Sequence, residues 1–427
     1  MTILLLLVLL ILVLLSGIPV AIGLALVGVA AGYWLEGPSA FIGVPQIFYS
    51  STHSFLITAI PMFVMMSEIL RRAGVTEILF ETVTRWLGHL PGGLAVSTVV
   101  TSAIGASITG SSVANAATMT MVAVPPMMAR GYERKFTYGL IAASGTLGIL
   151  IPPSIPLLLF AAITDVSVGR LFAAGLIPGL LLTAVLVAYV IVISLRGRVY
   201  TPIPRASWGE RWQQTRKAVW ALILPVIVIG GIYTGAFTAT EAAGVGVLYA
   251  TVLALAVYRT LSIRDFGPIL MSSLETTCMI LLLMGGATVL GHAVTTLQIS
   301  QEMLALIQEF ELSPWMFVLA VMILLFFLGM ILEVVSIIFI LLPVLYPILT
   351  ALEIDPVWFA ILFVVNMEIA LITPPVGMIL YVITGIVNRP IAEVIRGAAP
   401  YVAILILFLL FLMAAPQVST WLPGLIY

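Results

Sequence analysis

Two Pro-Pro pairs interrupt strongly apolar stretches of this chain. The first lies in Ile149-Leu150-Ile151-Pro152-Pro153. The second, 222 residues on (374 − 152), lies in Leu371-Ile372-Thr373-Pro374-Pro375. Proline has no backbone N–H, and its ring clashes with the carbonyl one turn back, so each pair frees carbonyl oxygens. Inside a bilayer such groups are tolerated only where they line a site or a cavity. Thr109-Gly110-Ser111-Ser112, followed by Asn115, precedes the first break and reads as the tip of a helical hairpin. Its hydroxyls and turn carbonyls are the neutral oxygens that a hard cation such as Na⁺ prefers, and the break at Gly145, Gly148, Ile151, Pro152 and Pro153 offers more of them. The second half supplies a matching tip, with Gly329, Glu333 and Ser336, and a matching break, with Asn366, Glu368, Ala370, Thr373, Pro374, Pro375 and Gly377. Glu333 and Glu368 are carboxylates in apolar surroundings, a costly placement that marks function by default. Glu275 is a weaker candidate of that kind. Half-helix N-termini at the breaks present N–H groups and positive dipole ends, which suits a carboxylate-bearing solute. The structural alternatives are helix packing by small residues at the tips and plain proline kinks at the breaks.

The elements that hold these residues must be membrane helices. Of 427 residues, 62% are hydrophobic and 8% charged, with a mean hydropathy of +1.24. Soluble domains do not have this composition, and apolar runs of spanning length recur along the chain. The single cysteine, Cys278, excludes an internal disulfide. Met1 to Ser16 is apolar but has no basic leading segment and no small-residue cleavage site, so it reads as a retained helix rather than a signal peptide. Residues 1–35 hold either two short spans broken at Gly17 to Pro19 or one long tilted span.

Charge sets the topology. Arg71, Arg72 and Arg85 fall in one loop, and Arg130, Arg134 and Lys135 in the next. Arg196, Arg198, Arg205, Arg211, Arg216 and Lys217 form a long basic connector; Arg259 and Arg264, then Arg389 and Arg396, complete the set. The positive-inside rule puts these loops in the cytoplasm and leaves Arg170 alone outside. His292 to Pro314 has no Lys or Arg but carries Glu302, Glu309 and Glu311; Glu353 and Asp355 mark a second acidic loop. Both read as external. Residues 86–129 therefore leave the cytoplasm and return to it, a hairpin opening inward, whereas residues 315–352 form a hairpin opening outward. The halves have one order of elements and opposite orientations. At an offset of 222, Pro125, Pro152, Pro153 and Pro178 meet Pro347, Pro374, Pro375 and Pro400, and Gly175 meets Gly397. Proline composition alone gives about one such coincidence. Twin interrupted helices in an inverted repeat point to a secondary transporter. Trp208 to Lys217 suits a cytoplasmic amphipathic helix at the headgroups, and 218–234 and 237–258 read as two further spans.

Other classes fit poorly. No G-x-x-x-x-G-K-[ST] is present and the lysines are Lys135 and Lys217 alone, which argues against ATP hydrolysis by this chain. His53, His89 and His292 are scattered, so no metalloenzyme is suggested. The chain reads as a non-enzyme. Gly23, Gly28 and Gly32 read as packing residues.

GSSVANAAT at Gly110 to Thr118, GILIPPSIPLLLF at Gly148 to Phe160, LFAAGLIPG at Leu171 to Gly179 and ITPPVG at Ile372 to Gly377 resemble the large membrane subunit of TRAP transporters, the DctM type of tripartite ATP-independent periplasmic transporters. The resemblance runs through nearly the whole chain. It implies a large permease subunit that imports a small organic acid or zwitterionic solute, with Na⁺ as coupling ion and no other cofactor. It implies a bacterial inner-membrane location, a small four-helix membrane subunit as a separate partner, and a periplasmic binding protein that delivers the solute. The implied fold is an all-α polytopic membrane protein, an inverted-topology repeat with two re-entrant hairpins and two broken helices, elevator-type. One Na⁺ site would use Thr109 and Ser112 with carbonyls near Gly148, Ile151 and Pro153; a second would use Gly329 with Ala370 and Thr373. Ala370 stands where the family pattern has glycine, and Glu333 where relatives often have aspartate. Ser111, Asn115, Pro152, Glu333, Ser336, Asn366, Pro374, Pro375 and Gly377 are the expected solute-facing residues. On this reading 1–85 are N-terminal scaffold helices and 86–195 the first transport repeat, with its break around Pro152. Residues 196–217 are the cytoplasmic connector, 218–291 further scaffold helices, and 292–427 the second transport repeat, with its break around Pro374. The competing reading is a stand-alone Na⁺/dicarboxylate symporter or ion antiporter of related architecture. A membrane enzyme or scaffold would need clustered catalytic groups that the sequence does not offer.

Overall fold

The computed structural model describes residues 8–10, 12, 13, 16–53, 55–197 and 202–427, and among them there is no strand. The readings of Met1 to Ser16 as a retained helix, and of Arg198 as part of the connector, lie mainly outside the described residues. After the break at Gly17 to Pro19 the chain enters α1 (Val20–Glu36) and continues through α2 (Ala40–Thr52), α3 (Ala59–Arg72) and α4 (Val75–Leu87). The first repeat comprises α5 (Gly93–Thr109), α6 (Ser112–Ala129), α7 (Arg134–Thr146), α8 (Ile155–Thr164) and α9 (Val168–Arg196). Then come α10 (Trp208–Tyr233), α11 (Ala239–Val252), α12 (Phe266–Thr296) and α13 (Ile299–Glu309). The second repeat comprises α14 (Pro314–Gly329), α15 (Val334–Ala351), α16 (Pro356–Leu371), α17 (Met378–Val387) and α18 (Ile391–Ala414), and α19 (Gln417–Ile426) closes the chain.

Six described helices are long and apolar enough to cross a bilayer: Val168–Arg196, Trp208–Tyr233, Ala239–Val257, Ile263–Thr296, Val334–Ala351 and Ile391–Ala414. Most hairpin arms and half-helices are shorter apolar helices, among them Gly93–Thr109, Ile155–Thr164, Pro314–Gly329 and Met378–Val387. The repeat is visible element by element. Helices α15 and α6 begin 222 apart (334 − 112) and end 222 apart (351 − 129). Helices α16 and α7 begin 222 apart (356 − 134). The 3₁₀ turn Leu147–Ile149 extends the first of that pair until its end, too, lies 222 from Leu371 (371 − 149). The inverted repeat with two hairpins and two broken helices is therefore the fold of this chain.

The halves interlock by exchange. Arm α6 of the first hairpin packs on α17 of the second half, and arm α15 of the second packs on α8 of the first. Helix α7 lies on α18 and α9 on α16. Outside this pair, α12 packs along α1 and α3, and α3 along α11. The contact of α1 with α12 is glycine-mediated: a Cβ on Gly28 would lie 2.7 Å from the Leu290 backbone nitrogen, and one on Gly286 2.3 Å from the Ala21 carbonyl. Lipid tails are as apolar as leucine, so close backbone approach of this kind is what holds membrane helices together.

One boundary differs from the sequence reading. The basic connector and the following span form a single helix, α10, capped by a reciprocal box in which Ser207 and Glu210 satisfy each other's backbone N–H. Nothing in Trp208 to Lys217 breaks the helix, so the amphipathic stretch simply runs on into the apolar one. Arg211 is not a solvated cation: it is 4% exposed, and its guanidinium lies 5.4 Å from the Trp86 ring centroid and 5.3 Å from that of Trp208, a double cation–π clasp.

Candidate functional site

Two cradles form where each hairpin tip meets a broken helix. In the first, α5 ends at Gly110, whose φ of 58° is left-handed, and α6 begins at once with Ser111 as N-cap, its hydroxyl accepting from the Ala114 N–H. The turn is tight because glycine carries the left-handed residue without a Cβ penalty. Opposite it, α7 unwinds through the 3₁₀ turn into Leu150 to Pro153, and Ser154 caps α8 by accepting from Leu157 N–H. The Pro152-Pro153 and Pro374-Pro375 bonds are both cis.

The tip and the break touch through backbone. A Cβ on Gly148 would lie 2.7 Å from the Ser111 carbonyl carbon and oxygen, and one on Gly110 2.9 Å from the Pro153 oxygen. Gly148 and Gly110 are thus the residues that let two turns meet. Side chains then stitch the contact. Ser112 Oγ donates to the Thr146 carbonyl at 2.7 Å. Asn115 Nδ2 donates to the carbonyls of Ser102 at 3.1 Å and Gly145 at 3.4 Å. Thr109 Oγ1 donates to Gly105 within its own helix. Ser112 and Asn115 are 2% and 1% exposed. A hydroxyl has one hydrogen and two lone pairs, so with their hydrogens spent on helix carbonyls Thr109 and Ser112 keep lone pairs for a cation.

The second cradle has the same plan and different chemistry. A Cβ on Gly329 would lie 2.6 Å from the Ala370 Cβ. The Val376 N–H donates to the Met330 carbonyl at 3.1 Å, and Thr373 Oγ1 donates to Ile369 at 2.6 Å. Glu333 is the N-cap of α15 and accepts from the Val335 N–H at 3.0 Å. Ser336 is buried. Asn366 Nδ2 reaches the Met322 carbonyl of the hairpin arm, while its Oδ1 has no partner among the described residues. Glu368 is 0% exposed, and neither carboxyl oxygen has a partner among the described residues. Gly377, in the left-handed region, starts α17. Thus the break residues Thr373, Pro374, Pro375 and Gly377 stand beside the second tip as the sequence placed them, whereas Glu275 is exposed on α12. Among the described residues no three His, Cys, Asp or Glu stand close enough to hold a metal ion; neutral oxygens are the available donors at the first cradle, and Glu333 and Glu368 add carboxylates at the second.

Ser67 was missed. From α3 its one hydroxyl hydrogen is shared among the Phe63 carbonyl of its own helix at 2.8 Å and the carbonyls of Ile108 at 2.9 Å and Thr109 at 3.0 Å, the orphan acceptors at the end of α5. Beside it a cleft of about 170 Å³ is lined by Ser111 from the tip, Glu68 and Arg71 from α3, and Ser273 and Thr276 from α12. No local pattern in the sequence singles Ser67 out; only the packing of α3 on α5 does.

An all-helical membrane protein with an inverted pair of hairpins and broken helices defines the class. The family described as "Tripartite ATP-independent periplasmic transporter, DctM component" matches residues 7–418, and the chain belongs to it. It is 40% identical over 379 residues to the C4-dicarboxylate TRAP transporter large permease protein DctM of Pseudomonas aeruginosa, covering 89% of this chain and 88% of that one. It is 34% identical over 414 residues to the sialic acid TRAP transporter large permease protein SiaM of Vibrio cholerae, covering 96% of each. Among solved structures, the Alcanivorax borkumensis YdaH transporter, described as having an unusual topology, aligns with a TM-score of 0.65 over 92% of this chain and 96% of that one at 13% identity. At that identity the likeness concerns fold alone. The chain is thus a multi-pass large permease subunit of a TRAP transporter.

Proposed function

We propose that this subunit couples Na⁺ entry to import of a small organic acid or zwitterion across the bacterial inner membrane, with a separate four-helix subunit and a periplasmic binding protein as partners. The observation that carries the reading is the pair of cradles, in which hydroxyl lone pairs and freed carbonyls converge where an unwound helix meets a hairpin tip. Unwound backbone at membrane depth is what coordinates coupling ions in transporters with broken helices. One Na⁺ is assigned to Thr109 and Ser112 with the carbonyls of Gly148, Ile151 and Pro153, the other to the region of Gly329, Ala370 and Thr373. The solute is assigned to the tips, with Ser111, Asn115, Pro152, Glu333, Ser336, Asn366, Pro374, Pro375 and Gly377 around it. The two repeats form a mobile unit that slides as an elevator past a scaffold of residues 1–85 and 218–291. The relatives named for C4-dicarboxylates and for sialic acid share a carboxylate, which agrees with half-helix N-termini aimed at the tips. An ion drives transport only by favouring the solute-loaded state.

The test is uptake into proteoliposomes holding both membrane subunits with the binding protein outside, using succinate and sialic acid as first solutes. Uptake is expected to stop when the inward Na⁺ gradient is collapsed. Uptake that persists without it rejects the coupling, and uptake without a binding protein points to a stand-alone symporter.

A further inference from the structure

The cleft beside the first tip has a chemistry that the Na⁺ sites do not use. Arg71 Nε and Nη2 grip Glu68 at 2.8 and 2.7 Å, and Arg72 Nε reaches the same carboxylate at 2.7 Å. Glu77 and Asp265 lie near enough to act on Arg71 and Arg72 respectively, so what the cleft offers is the directed donors of one braced guanidinium rather than an excess of positive charge. Glu68 occupies only the Nε and Nη2 edge of Arg71, so the Nη1 donors remain, held in a fixed orientation. Across the cleft, Ser273 is 5% exposed and its hydroxyl has no hydrogen-bond partner among the described residues, although it lines this space with Thr276. A buried hydroxyl without a partner is costly unless something completes it. The cleft therefore runs from Ser111 at the tip to a braced guanidinium near the basic cytoplasmic end of α3.

We propose that this cleft is a release subsite for the solute's anionic group, in which Arg71, positioned by Glu68, takes the carboxylate from the hairpin tip while Ser273 donates a hydroxyl hydrogen bond to it and Thr276, whose own hydrogen goes to the Ser272 carbonyl, only lines the space. The inference rests on the transporter reading and adds the residues of the exit step. A planar guanidinium fork matches a carboxylate better than an ammonium point charge does.

The test uses the full chain with its small subunit in inside-out vesicles, carrying Thr276→Cys as reporter and Cys278→Ser as background. Maleimide labelling of the reporter is timed with and without succinate, with succinamide as the neutral control. Succinate is expected to slow labelling and succinamide is not. Arg71→Gln should raise the half-protecting succinate concentration by about tenfold or more, the worth of one charge-assisted hydrogen bond, and Arg71→Lys should recover part of it. Glu68→Gln keeps a side-chain amide oxygen to hold Arg71 while removing the competing negative charge and should lower that concentration, a gain that misfolding cannot mimic. Absence of succinate protection, or equal protection in Arg71→Gln, overturns the subsite. Na⁺-driven uptake by the unmodified complex is measured in parallel: its loss rejects the transporter reading, whereas its presence with unchanged protection in Arg71→Gln rejects the subsite alone.

Discussion

The two cradles share a plan and divide its parts differently. In the first half glycines on both sides make the close approach: Gly148 of the break lies against the Ser111 backbone and Gly110 of the tip against the Pro153 oxygen. In the second it falls on the hairpin: Gly329 lies against the Ala370 side chain. At the repeat offset Gly148 corresponds to Ala370 (370 − 148 = 222), so the missing glycine of the second break is made good from the opposite side. The polar content also divides. Ser111 and Thr146 of the first half correspond to Glu333 (333 − 111) and Glu368 (368 − 146) of the second. The first cradle is stitched by neutral hydrogen bonds through Ser112 and Asn115, whereas the second carries two carboxylates and fewer cross-links. Duplication fixes the shape of a site, and each copy can then settle its own chemistry.

This asymmetry predicts different responses to the same insult. The largest effect is expected at the glycines. Gly148→Ala puts a methyl into backbone that cannot yield, and should cost about 1–3 kcal/mol, seen as a lower Tm in detergent and lost uptake. Gly329→Ala should lose as much, but Gly329→Ala with Ala370→Gly should recover most of it, because there the obstacles are the Ala370 methyl and the flexible end of Met367. Failure of that rescue would break the exchange of roles. Next is Asn115→Ala, which removes two buried side-chain hydrogen bonds, each worth about 0.5–1.5 kcal/mol; an unchanged Tm would show that the stitching is dispensable. Ser112→Ala removes one hydrogen bond worth about 1 kcal/mol and a proposed ion ligand. Replacing Na⁺ by choline should therefore lower the Tm of the parent chain more than that of the variant, and equal shifts would remove Ser112 from the site. The smallest effect is expected for Ser67→Ala, about 0.5 kcal/mol, because the contact joins two units proposed to slide apart.

Much of this was legible in the sequence. The Pro-Pro breaks, the Gly-Ser-Ser tip and the shared offset located both cradles, because proline and glycine act locally and the repeat carries them twice. Loop arginines predict an orientation. What stayed hidden depends on neighbours distant in sequence. Ser67 looks like any helix serine until α5 is laid against it. Glu68, Arg71 and Arg72 look like a loop's positive-inside charge until the cleft is seen. Arg211 reads in the sequence only as connector charge, although Trp208 three residues before it is a signal for the clasp.

The opposition of the two halves can be measured directly. His89 and Glu353 are both exposed, just before α5 and just after α15. In a Cys278→Ser chain, His89→Cys and Glu353→Cys are probed with a membrane-impermeant maleimide in right-side-out and inside-out vesicles. Position 89 is expected to label only from the cytoplasmic face and position 353 only from the external face. Labelling of both from one face would contradict the inverted pairing of the cradles.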